Sequence, residues 1–139
     1  MATIHPEPRL VELGRDECLH LLAGEGVGRV VVTQGSLPAA HPVHYVLDGE
    51  EVVFRTPRGG TLAAAVMHAV VAFQVDHVDL DTRTGWTVNG IGEAYEVVEP
   101  GRLNALQLAL SPWWADGDTA HTISIPLQIL HGRLTPSRA

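Results

Sequence analysis

Residues 52–65 read VVFRTPRGGTLAAA: an apolar, strand-like run ends on Arg55 and Thr56, turns through Pro57-Arg58-Gly59-Gly60, and opens at Thr61 and Leu62 into alanine-rich sequence. The two arginines supply fixed positive charge, the glycines permit close backbone approach, and a helix starting at Thr61 directs free amides at an anion. The same residues also suit a solvated loop with an ordinary helix cap. The stretch is neither a Walker A loop, which needs Gly-Lys-Ser/Thr, nor the dinucleotide fingerprint, which needs G-x-G-x-x-G after a parallel strand.

Other candidate groups are weaker. His41 and His44 stand three apart in a strand-like run, so they point to opposite faces, and Pro42 lies between them; no metal site is expected. Asp76, Asp79 and Asp81 read as a solvated turn at a strand end, and no G-x-S-x-G nucleophile signature is present. His20, His68 and His77 default to surface or packing roles. Cys18 is the only cysteine, which excludes an internal disulfide and a cysteine zinc site, and its helical context suits a small buried hydrophobe. Trp86, Trp113 and Trp114 are the three tryptophans of the chain; they read as packing plugs or as walls for a planar heterocycle or a partner subunit.

Composition narrows the chemistry further. All nine basic residues are Arg, so Schiff-base chemistry on lysine and a lysine phosphate clamp are excluded within this chain. A net charge of -7 argues against general binding to nucleic acid or acidic membranes. No apolar run approaches the roughly 18 residues of a membrane span, and MATIHPEPRLVEL lacks the basic-then-apolar order of a signal peptide. The expectation is a cytoplasmic protein whose residues 1–139 form a single domain, with mobile ends at 1–10 and 135–139.

The elements that must position these groups follow from local pattern. Cys18, Leu19, Leu21 and Leu22 have helical spacing behind Asp16 and Glu17, and Gly24 and Gly26 stop the helix. GRVVVTQ, AAHPVHYVL and EEVVFRT read as three antiparallel strands of a meander, with Asp48-Gly49 as a hairpin signal. A short helix at TLAAAVMHA leads into a fourth strand, VVAFQVDHVDL. TRTGWTVNGIGEAYEVVEP reads as one long fifth strand whose glycines mark bends, a helix begins near Pro100 with Leu103, Leu106 and Leu110 on one face and ends at Ser111-Pro112, and HTISIPLQILHGRL reads as a sixth strand. The expected fold is mainly β, of the α+β type: a six-stranded antiparallel split β-barrel with two or three short helices.

In order along about nine-tenths of the chain, LGRDECLHLLAGEGVGRVVVT, PVHYVLDGEEVVFRT, GGTLAAA, VAFQVD, GWTVNGIGEA, PWWADG and ILHGRL resemble the pyridoxamine 5'-phosphate oxidase-like family of FMN-binding split barrels, in its small nitroimidazole-reductase-like branch. The resemblance implies a homodimer with one FMN in each of two interfacial clefts. It implies that Pro42, Val43, His44 and Tyr45 lie along the flavin ring, and that Arg55 and Thr56 lie beside the ring and the phosphate-bearing chain. Gly59, Gly60, Thr61 and Leu62 would lie at the phosphate with Arg58 close by, Trp86, Thr87 and Val88 would approach from the other subunit, and Trp113 would close the pocket. Where many relatives read GTKL this chain has Gly60-Thr61-Leu62, and where many read PVNY it has Pro42-Val43-His44-Tyr45. The phosphate would then be met by Arg58, Arg55, or the Thr61 hydroxyl with helix amides. The expected activity is FMN-dependent oxidoreduction of a small organic molecule, with His44 as candidate acid or base. The alternative is a non-catalytic dimeric binding protein of the same fold that holds a deazaflavin, haem or no ligand.

Overall fold

The computed structural model describes residues 10–110 and 120–136. The elements run β1 (Val11–Leu13), α1 (Arg15–Ala23), β2 (Val27–Gln34), β3 (Leu37–Asp48), β4 (Glu51–Pro57), α2 (Thr61–Val66), β5 (Val70–Asp79), β6 (Thr84–Glu93), β7 (Tyr95–Glu96), α3 (Pro100–Ala109), β8 (Ala120–Pro126) and β9 (Ile129–Thr135). The strands form one antiparallel sheet in the order β1-β9-β6-β5-β2-β3-β4-β8-β7. It curls in the manner of a split barrel. Among the described residues no helix is long and apolar enough to cross a membrane.

Among the described residues the expected six strands are corrected to nine. The terminal run is two strands: Pro126 ends β8, the Gln128 amide donates back to the Pro126 carbonyl at 3.0 Å, and the Leu127 amide donates to the Glu50 carbonyl at 3.1 Å. This corner moves the chain from pairing with β4 to pairing with β6, which is how the sheet curls round. Gly92 of β6 lies so close to the corner that an added Cβ would stand 1.7 Å from the Pro126 carbonyl oxygen. The long fifth strand is also two, interrupted at buried Ala94, whose amide donates to the Ala69 carbonyl at 2.8 Å. The ninth is β1, which pairs with β9 just past the segment expected to be a mobile end.

Alternation then decides what is inside. In β3 and β4 the paired residues Tyr45 and Phe54 turn into the barrel, where Tyr45 meets Phe73 edge-on at 4.8 Å between ring centroids. Val30, Val32, Val43, Val52, Val88, Ile123 and Ile125 fill the same core, and Cys18 and Leu22 of α1 close one side of it. Burial, and secondarily Glu17, push the Cys18 thiol pKa up, which suits packing rather than nucleophilic work. Helix α3 covers part of the other sheet face, packing Leu106, Leu103 and neighbouring Leu110 on Val53 and Val46. Arg102 anchors that helix through Asp48, Ser124 and the Tyr95 hydroxyl, while Tyr95 and Ser124 both donate to Glu51.

Candidate functional site

The site begins where β4 leaves the sheet. Gly59 turns the chain with φ of 74°, in the left-handed region that favours glycine, and the Gly60 amide donates to the Pro57 carbonyl at 3.4 Å. Gly60 then caps α2, whose Ala63 and Val66 are buried while Leu62 packs at the core's margin. Arg58, Gly59 and Thr61 are exposed. A cleft of about 300 Å³ lies among Gly59, Gly60, Ala63, Ala64, Met67 and His121. A second hollow of about 270 Å³ lies between Thr61, Ala64 and Ala65 and the β2–β3 turn at Thr33–Gly35.

The strand residues divide by face. Val43, Tyr45, Thr56 and Val88 point into the barrel and are buried, so a ligand on the outer surface meets them through backbone alone. Tyr45 serves the scaffold, since its hydroxyl donates to the Leu22 carbonyl at 2.6 Å and ties α1 to β3. Burial, with a smaller contribution from Glu25, raises its pKa, so it stays protonated. Pro42 and His44 lie on the outer face, opposite Arg29 and Val27. Arg55 stands opposite Thr122 and alternates with the inward-facing Phe54 and Thr56. His41 lies on the other face from His44 and its Nε2 lies 2.7 Å from Gln34 Oε1, so the two histidines do not converge.

Thr87 shares the outer face, between Asp76 and Arg133. Half-buried Trp86 alternates with it, and its ring stacks on His77 with centroids 6.3 Å apart. Strands β5 and β2 stand between β6 and β3. Three inter-strand spacings put roughly 14 Å between Trp86–Val88 and the Pro42–Tyr45 strand, so one chain does not bring the two sets together. Across that gap runs a polar row that sequence pattern alone does not single out. Arg29 donates to Gln74 and Asp76, each at 3.0 Å, and Gln74 donates to Asn89 at 2.8 Å. Its sequence signal is slight, since each member is one polar residue at an outward position of an alternating strand.

One more pair has no local signature in the sequence. His121, on β8 beside Thr56, lines the cleft at the glycine turn, and its Nδ1 lies 2.6 Å from Glu96 Oε2 on β7. Trp113 and Trp114 lie outside the described residues. Among the described residues no three His, Cys, Asp or Glu side chains form a metal-binding group, and Asp79 instead caps its own turn through the Asp81 and Thr82 amides.

The family model for pyridoxamine 5'-phosphate oxidase matches residues 14–134. Over 110 residues the chain is 43% identical to the uncharacterized protein Rv0080 of Mycobacterium tuberculosis, a match spanning 75% of this chain and 72% of that one. Among solved structures it is similar to an FAD-binding protein from Mycobacterium smegmatis, with a TM-score of 0.79 and 29% identity over 91% of this chain and 100% of that one. It is also similar to a conserved protein of unknown function from Corynebacterium diphtheriae, with a TM-score of 0.75 and 29% identity over 94% of this chain and 100% of that one. The glycine turn between strand and helix, the ordered strands around it and a match running from α1 into β9 agree, and the chain belongs to the pyridoxamine 5'-phosphate oxidase family.

Proposed function

We propose that this chain is a flavin-nucleotide oxidoreductase that works as a homodimer, with FMN held between two copies. The observation that carries this reading is the separation of the two residue sets on one sheet, Pro42–Tyr45 with the Gly59–Gly60 turn on one side and Trp86–Val88 on the other. A flat ring that touches both sets needs the second set from another copy. The donor set at the turn fits a nucleotide phosphate: the Arg58 guanidinium and the Thr61 hydroxyl are exposed on either side of two glycines, and Arg55 stands two residues before the end of β4. Similarity to an FAD-binding protein supports a flavin in this family setting and makes FAD the second nucleotide to compare with FMN.

When bound, the flavin would supply the redox chemistry, accepting electrons from a nicotinamide nucleotide or similar donor and passing them to a small organic acceptor. The protein's part is to hold and orient. The outer face of β3 presents Pro42 and His44 to the ring, while the Tyr45 amide is engaged with the Gly26 carbonyl of the neighbouring chain segment and serves the sheet. His44 is the side chain placed to hold or move a proton there, since the two nitrogens of an imidazole can donate and accept.

A second reading has one observation in its favour: Thr61, exposed at the start of α2, offers no charge where a dianionic phosphate would sit. Under it the fold persists as a dimeric binding protein for a deazaflavin, haem or no ligand. The purified protein's visible spectrum, followed by titration with FMN, FAD, deazaflavin and haem, separates the two. Flavin absorbance near neutral pH, or saturable uptake of added FMN, is expected; a colourless protein that takes up no flavin contradicts the proposal.

A further inference from the structure

The cleft beside the glycine turn contains a cation-forming side chain in a chain that has no lysine. His121 pairs with Thr56 across the β4–β8 ladder and so faces the barrel end over which α2 lies, where it walls the cleft against Gly59, Gly60, Ala63, Ala64 and Met67. Its ring is held. Nδ1 lies 2.6 Å from Glu96 Oε2, with the two side chains only 20% and 31% exposed. A carboxylate accepts and does not donate, so Nδ1 carries the hydrogen of this contact. That leaves Nε2 as the ring nitrogen without a partner among the described residues. In the imidazolium form Nε2 is a donor as well, and Glu96 balances the ring's charge without occupying it.

We propose that His121, oriented by Glu96, is the recognition group of a phosphate-monoester subsite in this cleft. The lining determines the ligand class. Two glycines leave the main chain open to a tetrahedral anion, Arg58 adds a guanidinium in the same turn, and Glu96, already engaged by His121, is the one carboxylate among the described residues in contact with the recognition group. Ala63, Ala64 and Met67 give an apolar wall for the first carbons of the ester, and about 300 Å³ is more room than a phosphate alone requires. His121 thus stands in for the lysine that the chain lacks. That the ester is a flavin nucleotide rests on the function proposed above; the phosphate contact itself does not.

The test follows the imidazole ring signals of the full-length protein by ¹H–¹⁵N NMR during titration with inorganic phosphate and phenyl phosphate. The His121 signal is identified by its loss in H121Q. FMN and riboflavin are then compared by fluorescence in wild type, H121Q, E96Q and E96D. The expected results are a saturable shift of His121 with both phosphates and a preference for FMN over riboflavin that falls about tenfold or more in H121Q at unchanged riboflavin affinity. E96Q should show a smaller loss than H121Q and E96D a partial recovery, since Glu96 acts through the histidine. A His121 signal unmoved by either phosphate overturns the proposal whether or not flavin binds, and so does an FMN preference indifferent to H121Q. A phosphate-responsive His121 in a protein that binds neither flavin upholds the subsite and sinks the flavin reading instead.

Discussion

Thr61 separates the two functional readings at the level of one side chain. It is exposed at the first position of α2, beside a turn that already carries Arg58 and faces His121 across the cleft. If those groups meet the phosphate, T61K changes FMN affinity by less than about threefold, a difference under about 1 kcal/mol. A rise of more than about tenfold, read by flavin fluorescence, would mean that the wild-type turn holds FMN poorly. Tyr45 shows how a family position serves the scaffold. Its hydroxyl is buried and donates to the Leu22 carbonyl, so Y45F removes that bond and costs about 1–2 kcal/mol in denaturant unfolding. Because the ring faces the core, flavin affinity should change little in the folded Y45F variant.

The elements place these residues through a few local devices. Gly92 lets β6 pass under the Pro126 corner; G92A puts a methyl group on a backbone oxygen and should cost about 3 kcal/mol or more, seen as a large drop in Tm. Helix α3 starts on Glu99, whose carboxylate accepts from the Gly101 and Arg102 amides at 2.8 Å and 2.7 Å. Those two amide contacts, the Arg102 one first, lower the Glu99 pKa. A carboxyl with a depressed folded pKa adds stability above its unfolded pKa and loses it as pH falls through the folded value. E99Q should therefore lower Tm at neutral pH, and the gap to wild type should close below the ordinary carboxylate range.

Much of this layer was legible in the chain. Gly24 ends α1 as its C-cap, the Asp48-Gly49 signal turns β3 into β4 with Gly49 at φ of 63°, and Leu103 and Leu106 of α3 face the sheet while Leu108 faces away. The corner after Pro126 was hidden because Ile123, Ile125, Leu127 and Ile129 keep a period of two straight through it, and periodicity does not register a change of partner strand. His121 and Glu96 were hidden for a different reason. They are 25 residues apart and meet only through the β7–β8 pairing.

At the scale of the whole molecule the central feature is the part of the outer sheet face that no described helix covers. It carries Pro42, His44, Ala72, Thr87 and Ile91 across neighbouring strands, with the Arg29–Gln74–Asn89 row through the middle. Two copies facing each other across such a surface would bring the glycine-turn half of one site to the outward-facing Thr87 of the other. Thr87 should then affect flavin binding even though its strand stands about 14 Å from the Pro42–Tyr45 strand of its own chain. Native mass spectrometry of the full-length protein titrated with FMN measures assembly and occupancy together. The expected result is a dimer that fills to two FMN; a monomer that binds FMN one to one, or a dimer that takes up none, would contradict the shared flavin site.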